Sequence, residues 1–340
     1  MTLRFGIDFG GTKTEIIALD QHGGEVYRHR ISTDRHSYDA VIANIAALVT
    51  TAEEQLAVTG TVGVGIPGSL HPQTQVIHNS NSVVTNGRAM GQDLSLALKR
   101  EVRIANDANC LAISEAIDGA AKNGSVVFGV IIGTGCGGGL VVNKQLLLGR
   151  NGIAGEWGHN PLPYPHANGG QGDSAAVDYF DSVGKQQRAA VYHHKKYIKP
   201  YAADWMNTEF PGVQCYCGKR GCLETWLSGT GFARDYERVY GDKLDSKIII
   251  DNMRGSDERA QQTFGRYCQR LAKALAQIIN TIDPDVIVLG GGMSNIDEIY
   301  EQVPRMWHDY IFAQSSNTPL VKALHGDSSG VRGAAWLWNE

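Results

Sequence analysis

The sequence predicts an α/β fold made of two related lobes with a cleft between them. The first reason is a repeated order of elements: an apolar strand, a glycine-rich turn and a second strand begin at Phe5-Gly6-Ile7 and again at Phe128-Gly129-Val130. The second is that each half later contains an apolar strand that ends in glycine, at Gly68 and at Gly290. The third is the length of 340 residues, since roughly 150 residues form a domain and the chain has room for about two.

Composition excludes several classes of protein. Apolar residues make up 42% of the chain and charged residues 19%, as in an ordinary globular protein. The net charge of −4 provides no basic surface for nucleic acid or acidic membranes. No apolar run approaches the ~18 residues of a spanning helix, and Asp8 interrupts the N-terminus where a leader would need an apolar stretch. We therefore expect a cytoplasmic protein without nucleic-acid or membrane partners.

The first lobe is assigned to residues 1–107. Apolar runs between turn residues predict its strands, and apolar residues at helical spacing predict its helices. The strands are expected at 4–9, 15–19, 61–67 and 102–105, with a helix at 38–57, a polar loop at 78–91 and a connecting helix at 109–121.

The second lobe is assigned to residues 108–325, and a C-terminal helix at about 326–340 is expected to rejoin the first lobe. Its strands are predicted at 126–132, 140–143 and 285–289, and a helix at 257–282 ends before Pro284. Ser294 is placed to cap a further helix. The polar and aromatic residues 164–213 are interpreted as an insertion, which serves as a loop, a lid or an oligomer contact and contains a short helix near 174–192.

Two glycine-rich turns are candidate phosphate-binding sites. Residues 133–139 match Gly-x-Gly-x-x-Gly, but a strand follows where a dinucleotide-binding fingerprint needs a helix. The first turn fails as a P-loop for the same reason. Backbone N–H groups in such turns can point together at an anion, and Thr12, Lys13 and Thr134 add donors or charge. A tight turn without a ligand is the alternative for either turn alone, and the duplication favours phosphate binding.

Three cysteines form a candidate metal site. Cys215, Cys217 and Cys222 lie within eight residues with glycines between them, and their thiolates can wrap one tetrahedral Zn²⁺. A disulfide between Cys215 and Cys217 would be strained. A fourth ligand is needed, and His159 is the leading candidate among 11 histidines.

A candidate general base follows a buried strand. Asn106-Asp107 lies where that strand ends and a helix begins, and ligands of open α/β sheets sit at the carboxyl ends of strands. A carboxylate there can accept a hydroxyl proton during a nucleophilic attack. The alternative for Asp107 is a helix cap, and for Asp8 a turn residue.

Together these elements resemble the ROK family of bacterial sugar kinases, within the actin-like ATPase superfamily. The likeness covers nearly the whole chain and is carried by Gly6-Ile7-Asp8-Phe9-Gly10-Gly11-Thr12-Lys13, Gly133-Thr134-Gly135, Gly290-Gly291-Gly292, Glu156-x-Gly158-His159 and Cys215-x-Cys217-Gly-x-x-Gly-Cys222-x-Glu224. It implies a two-lobed, ribonuclease H-like α/β fold with an interlobe cleft, and a homodimer.

The resemblance also implies roles for individual residues. Asp107 would be the base that activates a sugar hydroxyl, and Asp8 would help to place Mg²⁺. The sugar would be bound by Gly68, Asn81, Asn106, Glu156, His159 and Glu224. The ATP phosphates and adenosine would be bound by Asp8, Gly10, Gly11, Thr12, Lys13, Gly133, Thr134, Gly135, Gly290, Gly291 and Gly292. His159 would be the fourth ligand of a structural zinc, with Cys215, Cys217 and Cys222, that shapes the sugar site.

Within the family, Glu156–Pro163 and His325–Trp338 look most like bacterial fructokinases of the manno(fructo)kinase type. The expected reaction is therefore ATP-dependent phosphorylation of D-fructose to fructose 6-phosphate. Mannose, glucose and N-acetylglucosamine are alternative acceptors. Sugar-responsive repressors of the family carry a DNA-binding module before the first phosphate motif, for which a motif that begins at Gly6 leaves no room. A non-catalytic sugar-binding regulator is disfavoured by Asp107 and both turns.

Overall fold

The computed structural model describes residues 3–165, 176–180, 186–190, 209–314 and 316–339. Its strands, in chain order, are β1 (Arg4–Phe9), β2 (Lys13–Leu19), β3 (Glu25–Ser32), β4 (Thr61–Ile66), β5 (Ser69–Leu70), β6 (Ile77–His78), β7 (Val102–Asn106), β8 (Val126–Ile132), β9 (Cys136–Val142), β10 (Gln145–Leu146), β11 (Ala176–Phe180), β12 (Gln186–Ala190), β13 (Val286–Gly290) and β14 (Leu320–Lys322). The α-helices are α1 (Tyr38–Leu56), α2 (Met90–Leu98), α3 (Asp107–Ile117), α4 (Glu224–Leu227), α5 (Gly229–Tyr240), α6 (Ser246–Arg254), α7 (Glu258–Ile282), α8 (Glu298–Trp307) and α9 (Ser329–Trp336).

Two five-stranded sheets of the same design form the centre of the molecule. The first has the order β3-β2-β1-β4-β7 and the second the order β10-β9-β8-β13-β14. Each starts with an antiparallel hairpin, β1–β2 or β8–β9, and continues with parallel strands. This repetition confirms the prediction of two related α/β units.

Local sequence explains where the principal helices begin and end. The Ser37 side chain caps α1 by accepting from the Ala40 N–H at 3.2 Å. Asp257 caps α7 by accepting from the Ala260 N–H at 2.7 Å, and α7 ends at Ile282, two residues before Pro284. The apolar face of α1 packs on the first sheet and that of α7 on the second.

Some elements differ from the predictions. β3 was missed because it is an edge strand whose mostly exposed residues lack an apolar alternation. α2 was missed because its first residues were assigned to the polar loop. β9 begins at Cys136 and not at Leu140, since the glycines before Leu140 pair with β8, and Gly137 and Gly139 lie close against α3. Little space separates these glycines from α3, and glycine in a strand often marks such a close approach. The glycine-rich residues before Leu140 therefore belong to a strand, although their composition is typical of a turn.

The prediction of a short helix near 174–192 is wrong. β11 and β12 lie there and pair as an antiparallel hairpin, with Ala176 opposite Ala190 and Phe180 opposite Gln186. Pairing between two strands depends on the partner as well as on local sequence, so the segment alone did not indicate it. Most of the predicted insertion at 164–213 lies outside the described residues.

The C-terminal helix α9 packs against β1, β4 and α3. Its backbone lies so close to the first sheet that a Cβ at Gly6 or Gly63 would overlap carbonyl oxygens of α9. Trp338 Nε1 donates to the Val62 carbonyl at 2.7 Å beyond the helix end. The C-terminal helix α9 therefore lies on the first sheet. The lobe boundaries at residues 107 and 325 stay predictions.

Among the described residues, no helix combines the length and the hydropathy that crossing a membrane requires.

Replacement of Gly63 by Ala tests the close approach of α9 to the first sheet. The new methyl group would overlap the Ala334 carbonyl oxygen, so we expect the free energy of unfolding to fall by about 2–3 kcal/mol. Urea unfolding monitored by circular dichroism measures it. Gly255→Ala is the control, because its φ is −76° and its methyl group would have no neighbour nearer than 3.4 Å. Equal stability of the two variants would contradict the packing argument.

Candidate functional site

Two aspartates lie at one edge of the first sheet. Parallel pairing aligns β1, β4 and β7, with Asp8 opposite Gly65 and Ile66 opposite Asn106. Asp107 follows at once as the first residue of α3. The carboxyl ends of the three strands therefore bring Asp8 and Asp107 to the same edge, where α/β proteins bind ligands.

The surroundings of both aspartates favour the protonated form. Burial raises the pKa of half-buried Asp8 to about 6, with a further contribution from the negative charge of Asp107. Asp107 is open to solvent on one side, but desolvation by the protein around it still raises its pKa, and the N–H of Ala108 opposes this by donating to Oδ1 at 2.8 Å. A solvent-accessible carboxylate with a raised pKa is suited to accept a proton near neutral pH.

The first glycine-rich turn joins β1 to β2. The Gly10 N–H donates to the Lys13 carbonyl at 3.0 Å and closes the turn. The turn is supported from the chain after β3, since Thr33 Oγ1 donates to the Gly10 carbonyl at 2.8 Å and Arg35 Nε to the Gly11 carbonyl at 2.7 Å. Gly11, Thr12 and Lys13 are exposed. The turn therefore faces solvent beside Asp8.

The second glycine-rich turn meets the predicted adenosine motif. It joins β8 to β9, and the Gly133 N–H donates to the Gly135 carbonyl at 3.0 Å. Gly291 has a φ of +82°, and a Cβ there would lie 2.7 Å from the Ile132 carbonyl oxygen and 3.0 Å from Gly133 N. Only a glycine fits this position, for both reasons. Gly133, Thr134, Gly135, Gly290, Gly291 and Gly292 are thus brought together.

Three predicted sugar-binding residues lie near the junction of the two lobes, and one hydrogen bond between two of them crosses it. Asn106 caps α3 by accepting from the Asn109 N–H at 2.7 Å, and its Nδ2 donates to Glu156 Oε1 at 3.1 Å. Desolvation raises the pKa of Glu156, and Asp107 and Glu224 lie near enough to add to this effect. Glu224 Oε2 accepts from the Cys136 N–H at 3.2 Å, next to the second turn. The carboxylates of Asp107, Glu156 and Glu224 therefore surround one space.

The predicted zinc ligands converge. The ligand atoms of His159, Cys215, Cys217 and Cys222 all lie within 4.8 Å of one another. Cys215 Sγ is 3.7 Å from His159 Nδ1, and Cys217 Sγ is 3.6 Å from Cys222 Sγ. Tetrahedral zinc, with Zn–S of about 2.3 Å and Zn–N of about 2.0 Å, spaces its ligand atoms roughly 3.5–3.8 Å apart. The donor set and its spacing fit Zn²⁺.

The cysteine cluster is fastened to the chain around His159. The N–H of Leu162 donates to the Gly221 carbonyl and that of Leu223 to the Asn160 carbonyl, both at 2.9 Å. The Glu224 N–H donates to the Gly158 carbonyl at 2.9 Å. A metal ion that fixed the positions of the cysteines would therefore also fix the positions of Glu156 and Glu224.

The remaining predicted sugar-binding residues, Gly68 and Asn81, belong to the first lobe. Gly68 has a φ of +91°, and a Cβ there would lie 2.5 Å from the His78 carbonyl oxygen and 2.8 Å from Ser80 N. Gly68 is thus packed against the start of the 79–81 loop. Asn81 is exposed, and a Cβ at Gly11 would lie 3.9 Å from Ser82 Oγ, so this loop borders the first phosphate turn.

Several residues at the site were missed. The Tyr216 hydroxyl lies 3.1 Å from His159 Nε2, with the rings edge to face at 5.3 Å, so Tyr216 orients the histidine. Asn86 holds the 79–81 loop by two hydrogen bonds of 2.9 Å with the Ser80 backbone. The position of Tyr216 between two cysteines could have indicated its place at the site. No sequence pattern around Arg35 or Asn86 indicates that these residues support it.

The chain matches known proteins over nearly its full length. The model of the ROK family matches residues 4–340. An N-acetyl-D-glucosamine kinase of Pectobacterium atrosepticum is 38% identical over 333 residues, which cover 98% of each chain. Its counterpart of Vibrio cholerae is 36% identical with the same coverage. The crystal structure of the ROK hexokinase from Thermus thermophilus superposes with a TM-score of 0.79 at 25% identity, covering 99% of this chain and 97% of that one.

These relatives bear on two expectations. The two relatives at 36–38% identity are named N-acetyl-D-glucosamine kinases. Their name agrees with our alternative acceptor and not with fructose, the acceptor that we expected. The superposition on the ROK hexokinase and the two sheets of the same strand order confirm the expected two-lobed α/β fold of this chain. Since the family model matches residues 4–340, from β1 to the C-terminus, the chain belongs to the ROK family.

Proposed function

We propose that this protein transfers the γ-phosphoryl group of ATP to the primary hydroxyl of a hexose. The observation that carries the proposal is the solvent-accessible Asp107 with a raised pKa, placed beside Asp8 and Glu156 at the end of β7 in a ROK-family chain. The first glycine-rich turn follows Asp8 in the chain, and a Cβ at Gly135 of the second turn would lie 2.9 Å from Glu224 Oε2, which supports binding of a ligand between them.

Asp107 is the proposed base. Its Oδ1 accepts from the Ala108 N–H, which fixes the carboxylate at the start of α3 and leaves Oδ2 for a substrate hydroxyl. As the sugar oxygen attacks the phosphorus, Asp107 accepts its proton. Asn106, Glu156, His159 and Glu224, with Gly68 and Asn81 on the opposite side, would position the sugar, and positioning supplies most of the rate enhancement in phosphoryl transfer.

The turns and Asp8 would hold the nucleotide. Backbone N–H groups at Gly10, Gly11, Gly133 and Gly135 and the hydroxyls of Thr12 and Thr134 would bind phosphate oxygens, and Lys13 would add a positive charge. Gly290, Gly291 and Gly292 would lie near adenosine. Mg²⁺ prefers carboxylate and phosphate oxygens, and the Asp8 carboxylate beside Asp107 fits it. When bound, the ion neutralises phosphate charge.

The cysteine cluster would hold a structural zinc. His159, Cys215, Cys217 and Cys222 supply four ligands, which leaves no position for a reacting water. The residues around the metal then act on the sugar site: Tyr216 orients His159, and the 158–162 and 221–224 segments keep Glu156 and Glu224 in place.

Two acceptors have support. The relatives named N-acetyl-D-glucosamine kinases favour that sugar, and it is our first candidate. Fructose is the second, because Glu156–Pro163 and His325–Trp338 look like fructokinases. The gain or loss of one hydrophobic or polar contact can change the preference for one substrate over another by 10-fold or more. Relatives at 36–38% identity therefore support the reaction class more strongly than the identity of the acceptor sugar.

A coupled assay of ADP release tests the reaction and the acceptor together. Purified protein is given MgATP with N-acetylglucosamine, fructose, mannose or glucose, and Asp107→Asn serves as the matched blank. We expect the highest kcat/KM for N-acetylglucosamine, and a loss of about 10²–10⁴-fold in kcat for Asp107→Asn because a general base contributes that much. A higher kcat/KM for fructose would make fructose the acceptor. Turnover of Asp107→Asn at the wild-type rate would remove Asp107 from the base role.

The pH dependence of kcat/KM for MgATP tests the aspartate pair. The pKa of Asp8 is raised to about 6 and that of Asp107 is also raised. Both act as carboxylates, so activity should fall as the pH decreases through about 6, where ordinary aspartates, with pKa values near 3.9, are still ionised. The rate is measured between pH 4.5 and 8. Full activity at pH 5 would contradict the pKa of about 6 for Asp8.

Metal analysis tests the cysteine cluster. We expect about one zinc per chain, lost in Cys217→Ser together with a rise of the sugar KM of at least tenfold, since loss of support for metal ligands costs 10–100-fold. Cys268→Ala is the control, because Cys268 is a buried thiol of α7 outside the cluster. A Cys217→Ser protein with full zinc content and an unchanged sugar KM would exclude the proposed site.

A further inference from the structure

A wholly buried carboxylate outside the proposed site fixes the segment that precedes α9. Glu115, on α3, is 0% exposed. Its Oε2 accepts from the N–H groups of Ala120 at 2.8 Å and Leu324 at 2.9 Å, and its Oε1 accepts from the His325 N–H at 3.2 Å and the Ser329 hydroxyl at 2.9 Å. Three backbone N–H groups and one hydroxyl therefore surround the two carboxyl oxygens of Glu115.

Three of these donors belong to the C-terminal part of the chain, more than 200 residues from Glu115. A second link lies one turn along α3, where Asp118 accepts from Trp336 Nε1 at 3.0 Å and pairs with Arg332 and His325. A third tie joins Arg28 of β3 to Ser328 Oγ at 3.3 Å. Residues 324–332 are therefore held in one position relative to α3.

The fixed segment ends against Asp8. A methyl group at Gly330 would lie 3.7 Å from Asp8 Cγ and Oδ2 and 3.8 Å from Oδ1. These are ordinary van der Waals distances, so Gly330 forms a wall beside the carboxylate and leaves room there for a small ligand shell. One turn further on, a Cβ at Gly333 would overlap the carbonyl oxygen of Cys110, on the first turn of α3 after Asp107.

We propose that Glu115 is a positioning residue for the MgATP site: it fixes residues 324–329 so that Gly330 forms the wall beside Asp8. This inference rests on the proposed function. Glu115 contacts neither substrate and acts through the backbone of the C-terminal segment. Its influence is on the nucleotide, because the wall lies against Asp8, while Glu156 and Glu224 are held by Asn106 and Cys136, outside residues 324–330.

Two variants separate positioning from simple stability. Glu115→Gln keeps one acceptor oxygen and turns an NH₂ group towards the donors of the other oxygen, so at least one backbone N–H of the segment, that of Leu324 or that of His325, loses its acceptor. Gly330→Ala fills the space beside Asp8 without a clash, and alanine in a helix leaves stability equal or higher. For both we expect the Kd for MgATP to rise about tenfold, equivalent to ~1.4 kcal/mol, while the Kd for the sugar, measured without nucleotide, stays unchanged.

Gly91→Ala is the matched control for Gly330→Ala. Gly91 is also the second residue of its helix and half-buried, and its methyl group would lie 3.4 Å from Ile104 Cδ1, again without a clash. We expect wild-type affinity for both ligands in this variant. Calorimetric titration gives both dissociation constants, and thermal unfolding gives Tm.

The outcomes are distinct. Wild-type protein that binds MgATP but phosphorylates no hexose would contradict the proposed function alone. Unchanged MgATP affinity in Gly330→Ala would overturn the positioning role, whatever the folding of Glu115→Gln. Equal weakening of MgATP and sugar in Gly330→Ala would also overturn it, since it would show a general loss of structure. Wild-type protein that binds no MgATP would overturn both.

Discussion

Helices α3 and α9 cross with their backbones in contact, and the remaining arrangement depends on that crossing. The contact is possible because residue 333 is glycine, since any side chain there would overlap the Cys110 carbonyl. α3 begins with Asp107, directly after a strand of the first sheet, and packs on β8 and β9 of the second. α9 lies on β1 and β4. One close helix pair therefore joins both sheets next to the candidate base, and a change in it would move both halves of the cleft.

Each lobe contributes one hairpin turn and one set of polar side chains to the cleft. The turn between β1 and β2 has a carboxylate beside it, whereas the turn between β8 and β9 has the Gly291 backbone against it. Asn106 and Glu156 meet across the lobes at 3.1 Å. The two sheets thus share one strand order but differ in the residues around their turns, and the proposed function assigns the two turns different roles.

Charge at the site is arranged so that ligands can complete it. Burial raises the pKa of Asp8, Asp107 and Glu156, and the negative charge of Asp107 adds to the effect at Asp8 and at Glu156 by repulsion. A magnesium ion would relieve this repulsion. At the cysteine cluster, Cys217 is exposed, while Cys215 and Cys222 are buried. The distances from Cys215 Sγ to His159 Nδ1 and from Cys217 Sγ to Cys222 Sγ fit tetrahedral coordination of a metal ion. Both places favour cations in an otherwise acidic chain.

The sequence by itself determined the local features of this protein. The two glycine-rich turns, the cysteine spacing, the Asp107 position at a strand end and the helices α1 and α7 follow from residues close together in the chain, because turn chemistry, capping and apolar periodicity act over a few residues. Only the tertiary structure decided which side chains share a site. Tyr216 beside His159, Glu115 with residues 324–329, and Gly330 against Asp8 join residues far apart in the chain. Such contacts depend on how helices and sheets pack, and no local pattern specifies their partners.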